Sequence, residues 1–265
     1  VSDETTALEA EAILRSEAKR TGRPVTWDVE TRGKMFDSDF RIISAALGIA
    51  GENNSFVWNR EALAKGSAAS DALVRLLKDP DLRWVEQGSY DELAAMCYFG
   101  TPIAGERRDV RLIRKALDCA VKVADLDTLS ELVGTGGYKA DFDEYLQNAR
   151  DSVKKWNPRQ LKMFDDCPDT YARQRLWDLS KLEDKKVFNE YEKSYLYALV
   201  PPSVLPLYNA RDQITTGLLH EELWPKLQAD PGLVLLWNEV TGPAGRSYTW
   251  AGVWGAPMRR GAIEA

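Results

Sequence analysis

Val25-Thr26-Trp27-Asp28-Val29-Glu30 alternates apolar and polar side chains with a period of two, the pattern of a half-buried β-strand. That period places Asp28 and Glu30 on one face and Val25, Trp27 and Val29 on the other. Two carboxylates side by side repel each other. On a folded strand the repulsion is costly unless a cation bridges them, and hard oxygen ligands suit magnesium or manganese. An ordinary exposed face at a strand end would carry the same pair, so the spacing alone leaves both readings open.

Working outward, Ser2 to Arg20 reads as a helix, with Ser2 or Asp3 as cap, Leu8, Ile13 and Leu14 as its apolar stripe and Gly22 as its stop. Downstream, Ile42 to Ile49 and Ser55 to Trp58 read as two more strands, which makes a three-strand meander. Ser70 to Leu77 is helical, Leu82 to Glu86 a short strand and Tyr90 to Phe99 helical again. Strands that alternate with helices predict an α/β fold. From Val110 to Val133 the apolar spacing is helical, and no further strand is expected before Leu233. The charged stretch from Ala140 to Lys193 keeps aromatics such as Trp156, Phe164, Trp177 and Phe188, which predicts ordered helices. Pro201, Pro202 and Pro206 precede a helix expected from Leu207 to about Trp224. The Gly-, Pro- and Trp-rich stretch from Pro231 on looks like a separate unit.

With 265 residues the chain can bury a substantial core without disulfides. Cys97, Cys119 and Cys167 fit neither a bridge framework nor a zinc knuckle and read as core thiols in a reducing compartment. No signal-peptide pattern and no membrane-length apolar run is visible, so a cytoplasmic protein without membrane contact is expected. A formal net charge of -6 argues against gripping a long duplex through its phosphates. A nuclease that holds a few terminal nucleotides, with metal ions supplying the positive charge, remains compatible with that balance.

Two further elements carry carboxylates. Tyr90-Asp91 follows the strand ending at Glu86 and opens a helix, where Asp91 projects over the end of the sheet or serves as a cap. In Tyr208-Asn209-Ala210-Arg211-Asp212 a spacing of four puts the phenol and the carboxylate of the first and last residues on one helix face. Asp28-Val29-Glu30-Thr31, Tyr90-Asp91 and Tyr208 with Asp212, in this order, resemble the signature of the DEDD exonuclease superfamily. The likeness is specifically to the proofreading domain of family A DNA polymerases of phage or bacterial type. It covers about residues 20 to 230 and includes Leu126-Asp127-Thr128-Leu129, Gly137-Tyr138-Lys139 and Val200-Pro201. Leu207 stands where a histidine subclass would carry its histidine, so Tyr208 assigns the chain to the tyrosine subclass. His220, the sole histidine, is expected on a solvated face. The family usually has Asn where this chain has Gln87, which puts that contact with the terminal nucleotide in doubt.

The resemblance implies a ribonuclease H-like mixed β-sheet flanked by helices, with a largely helical second half. Residues 1-230 would form a 3′-to-5′ exonuclease domain, and 231-265 a linker or the start of a polymerase domain. It implies two Mg2+ or Mn2+ ions held by Asp28, Glu30, Asp91 and Asp212, with Tyr208 orienting the attacking water and Thr31 and Gln87 touching substrate. The partners implied are a single-stranded DNA 3′ end and a DNA polymerase domain or subunit. Two rival readings keep the fold: ribonuclease D-like trimming of RNA, and a catalytically silent module that braces a polymerase. Retention of all four acids and Tyr208 argues against the silent module.

Overall fold

The structure, a computed structural model, describes residues 1–121, 125–137, 139–155, 169–180 and 194–254. Val123, Tyr138, Trp156, Phe164, Cys167 and Phe188 lie outside the described residues, as does the side chain of Trp177. Helix α1 (Glu4–Thr21) begins at Asp3, whose carboxylate accepts the Thr6 N–H at 2.9 Å, and ends at Gly22 in the left-handed region with φ 65°. Its inward stripe is Ala7, Ala10 and Leu14, whereas Leu8 and Ile13 are 45% and 46% exposed. Leu14 of the expected stripe faces inward, and the small side chains of Ala7 and Ala10, at a spacing of three and four along with it, take the place expected of Leu8 and Ile13.

Strands β1 (Val25–Arg32), β2 (Arg41–Ile49) and β3 (Phe56–Trp58) form an antiparallel meander. After α2 (Ala68–Leu77), strand β4 (Trp84–Glu86) pairs parallel to β1. Helix α3 (Tyr90–Phe99) then leads to β5 (Arg107–Asp109), parallel to β4. The order β3-β2-β1-β4-β5 sets β1 in the middle of a five-stranded mixed sheet with the ribonuclease H-like arrangement. Val25, Trp27 and Val29 point into the core shared with α1 and α2. There Trp27 meets Trp84 edge to face at 5.9 Å, a contact worth roughly 0.5–1.5 kcal/mol beyond its area.

The sequence places no strand at β5 and one helical run over Val110–Val133. Arg107-Arg108-Asp109 has no apolar alternation, and its pairing with β4 alone makes it a strand. The helical run divides into α4 (Val110–Leu117), ended by Asp118 at φ -152° and ψ 97°, and α5 (Leu126–Ser130), capped by Asp125. Asp109 caps α4 by accepting the Arg111 N–H at 2.8 Å, and it accepts the Gly88 N–H at 3.0 Å. Asp109→Ala is expected to cost about 1–2 kcal/mol. That corresponds to a melting temperature lower by roughly 2–8 °C in a thermal denaturation scan; an unchanged midpoint would mean that the cap contributes nothing.

Helices α6 (Lys139–Lys155) and α7 (Thr170–Ser180) form the added helical part, and α8 (Leu205–Gln228) lies across the face of the sheet opposite α1. Close approach of α8 is possible because Gly217 and Gly48 lack side chains. A Cβ on Gly217 would sit 3.3 Å from Ala50 Cα, and one on Gly48 would sit 2.7 Å from Gln213 Nε2. Helix α8 begins two residues before the expected start, since Pro206 fits a first turn that needs no N–H. Beyond it, α9 (Pro231–Leu236), one turn of π-helix and α10 (Gly242–Trp254) bring the chain back against the β5 edge, where Arg107 donates to Thr249 Oγ1 at 3.1 Å. No helix among the described residues is long and apolar enough to cross a membrane.

Candidate active site

The even-numbered side chains of β1 face α8, and that juxtaposition builds the site. Thr26, nearest the start of the strand, hydrogen bonds to Gln213. One pleat further on, Asp28 Oδ2 accepts from Asn209 Nδ2 at 2.5 Å, and Asn209 Oδ1 accepts from Ser44 Oγ of β2 at 2.7 Å. Asp212, one turn along α8 from Asn209, brings a third carboxylate, so that one oxygen each from Asp28, Glu30 and Asp212 lies within 4.8 Å of the others. Past Glu30 the register slips: Glu30 stands opposite Ser44 and Thr31 opposite Ile42. Such an irregularity re-aims the side chain that follows it. Thr31 Oγ1 thereby meets the Tyr90 hydroxyl at 2.6 Å.

Asp91 stands outside the three-oxygen group. It is 4% exposed in the first turn of α3 and accepts a hydrogen bond from the Val29 backbone. Burial raises its pKa well above the ordinary carboxylate range, and the charges of Asp28, Glu86 and Glu30 add to the rise. Asp28 is raised first by burial and then by Asp212, against the Asn209 hydrogen bond and Lys139. Glu30 is raised by burial, then by Asp28 and Asp212. This is the electrostatic signature of a site short of positive charge. Lys139 Nζ lies 3.7 Å from Asp212 Oδ1 and offsets part of the deficit. Clustered, mutually repelling, hard oxygen donors suit Mg2+ or Mn2+, so the residues present fit the implied metal.

Tyr208 is 8% exposed, its ring stacked on Phe142 at 3.7 Å with Tyr197 edge-on at 6.3 Å. Its hydroxyl hydrogen bonds to Asp212, and burial followed by the charges of Asp212 and Glu30 holds the phenol far above its usual range. These causes favour the protonated phenol, which can donate a hydrogen bond. Gln87, half buried, lies between β4 and α3 beside Gly88, whose φ of 88° favours glycine.

His220 departs from expectation. It is 2% exposed, with Nε2 3.3 Å from Arg108 Nη1, Nδ1 3.2 Å from Glu221 Oε1 and its ring stacked on Trp224. The helix face it occupies is the one pressed on α4 and β5, which is why it is buried. Cys97 is half buried and Cys119 exposed, so neither is the fully buried thiol expected. Sequence reasoning gave no role to Asn209 and Lys139, which it quoted only within motifs, and passed over Phe142. Asn209 was detectable as the residue one turn before Asp212 on the face toward β1.

No protein-family model and no curated protein matches the chain. Among solved structures, RNase D of Trypanosoma brucei superposes on 98% of this chain and 73% of its own length, with a TM-score of 0.55 at 15% identity. NrnC of Brucella melitensis aligns over 89% of both chains at 16% identity, with a TM-score of 0.42. The superposition on RNase D agrees with the mixed sheet and helical second half, and at that identity it speaks for the fold.

Proposed function

We propose that this chain is a metal-dependent 3′-to-5′ exonuclease acting on single-stranded nucleic-acid ends. The observation that carries the reading is the meeting of Asp28, Glu30 and Asp212 from β1 and α8, with oxygens within 4.8 Å of one another. Two Mg2+ or Mn2+ ions held by Asp28, Glu30 and Asp212, with Asp91 assisting, would lower the pKa of the attacking water and offset charge on the leaving 3′ oxygen. Asn209 holds Asp28 in one orientation through the Ser44 link. Tyr208 in its phenol form donates its O–H to position groups beside Asp212 and does not abstract a proton. The Thr31–Tyr90 pair and Gln87 would line the approach of the terminal nucleotide. Water adds to the phosphorus of the last linkage, the bond to the 3′ oxygen of the preceding nucleotide breaks, and that oxygen takes a proton. The product is a nucleoside 5′-monophosphate.

Two substrate readings have separate support. Likeness of fold to RNase D supports RNA, trimmed from its 3′ end. The motif order, with Val200-Pro201 before Tyr208, supports DNA and proofreading beside a polymerase. RNA and DNA oligonucleotides of one sequence, compared by kcat/KM with the products resolved by chromatography, separate the two. Release of 3′-monophosphates, or of internal fragments, would sink the exonuclease reading for either substrate. Tyr208→Phe keeps the stack on Phe142 and removes a hydrogen bond to a charged group, worth about 1.5–3 kcal/mol. A fall in kcat of roughly tenfold to a hundredfold is expected, and wild-type kcat would show that the hydroxyl has no role.

A further inference from the structure

Asp91 is the acid held apart from the other three, and its position depends on the first turn of α3. Ser89 at the start of that turn makes no side-chain cap hydrogen bond. The turn is held instead through Glu92, the next residue, which is fully buried and pairs with Arg107 of β5. Arg107, its side chain 6% exposed, also meets Glu86 Oε1 at the end of β4 at 2.8 Å. Two residues along β5, Asp109 accepts the Gly88 N–H at 3.0 Å. The segment from Glu86 to Glu92, which carries Gln87 and Asp91, is thus tied to the edge strand at both ends and near its middle. The shell around Arg107 is completed from α10: Thr249 Oγ1 accepts from Arg107 at 3.1 Å, and Arg246, one turn earlier, donates to the Ile103 carbonyl.

We propose that Arg107 is a positioning residue for Asp91: clamped on Glu86 and Glu92 and covered by α10, it sets the first turn of α3 and so the fourth metal-facing carboxylate. The proposal deepens the exonuclease reading and rests on it. A planar guanidinium holds two carboxylates from different elements in fixed directions, whereas a lysine ammonium is a point charge on a flexible stem that fixes them less. A consequence is that α10, far along the chain from the motifs, is mechanically continuous with Asp91. Displacement of α10 would loosen Arg107 and, with it, the acid.

The test uses Mn2+ alone as probe. Calorimetric titration of Mn2+ into the unsubstituted chain and into Glu92→Gln, Arg107→Lys and Thr249→Val is combined with kcat and KM on a single-stranded oligonucleotide and with thermal melts. Removing a partner that orients a metal ligand weakens metal affinity or activity by about 10- to 100-fold. Glu92→Gln, which keeps the side-chain volume, is expected to weaken Mn2+ binding and lower kcat to that extent, with KM within about twofold. Arg107→Lys should fall between it and the unsubstituted chain, and Thr249→Val should shift both quantities in the same direction by less. If Arg107→Lys fails to fold, Glu92→Gln alone decides. A folded Glu92→Gln with unchanged Mn2+ affinity and kcat and only a lower melting temperature would overturn the positioning role and leave the exonuclease reading standing. An unsubstituted chain that takes up no Mn2+ would overturn both.

Discussion

Alanine in place of Asp28 or Asp212 is expected to slow 3′-end hydrolysis by about a thousandfold or more in single-turnover assays with saturating Mg2+. The magnitude follows from the several kcal/mol of charge stabilisation that a bound cation supplies in such a reaction, at about 1.4 kcal/mol per factor of ten. Asp28, Glu30 and Asp212 each offer one oxygen within 4.8 Å of the other two, so removing Asp28 or Asp212 takes away one of three clustered ligands. Asn209→Ala removes the 2.5 Å bond that orients Asp28 and strands Ser44, so a loss of about tenfold to a hundredfold is expected there. If Thr31 and Gln87 line the approach of the terminal nucleotide as proposed, Thr31→Ala and Gln87→Ala should act mainly on KM. Asp28→Ala or Asp212→Ala with a rate within tenfold of the unsubstituted chain would mean that hydrolysis, if seen, happens elsewhere.

The same acids make a second prediction, on stability. Burial and mutual repulsion raise the folded-state pKa values of Asp28, Glu30 and Asp91 above those of the unfolded chain. Lys139 and the Asn209 hydrogen bond oppose the rise at Asp28. Between the ordinary carboxylate range and the raised values the unfolded chain therefore binds fewer protons than the folded one. Stability is fullest below that window and falls as pH rises through it when no metal is present. Exposed acids such as Asp3 and Asp125, whose pKa values are lowered by backbone hydrogen bonds, act in the opposite sense. The difference between the unsubstituted chain and Asp28→Asn therefore isolates the site. Mn2+ at a hundred times its dissociation constant should add about 2.7 kcal/mol, a rise in melting temperature of roughly 5–11 °C. Asp28→Asn should raise metal-free stability near neutral pH by about 0.5–2 kcal/mol and abolish most of the metal-linked rise. Melting scans in EDTA and in Mn2+ across pH 4 to 8 provide the check, and a metal-linked rise that survives in Asp28→Asn would place the ion elsewhere.

How much of this could be read from the sequence depended on how far each signal extended along the chain. The alternation over Val25–Glu30 is local, so it placed Asp28 and Glu30 on one face, and the structure sets that face against α8. The meander and the strand–helix alternation were legible for the same reason. Strand β5 was not, since three charged residues become a strand only through their neighbour β4. His220 was misjudged because a polar side chain on a long helix looks solvated until the partners on that face, Arg108 and Trp224, are known. Asn209, Lys139 and Phe142 acquire meaning from contacts that span long stretches of chain, 181 residues in the case of Asn209 and Asp28. Glu92 and Arg107 carry no motif at all, and their pairing appears only once α3 and β5 are side by side.

The most direct test of the central claim is to incubate a 5′-labelled single strand with the chain in Mg2+, with EDTA and with Asp28→Ala as controls. A ladder that shortens from the 3′ end one nucleotide at a time, absent in EDTA and in the variant, is the predicted result. An intact strand under every condition, or a ladder that persists in Asp28→Ala, would contradict it.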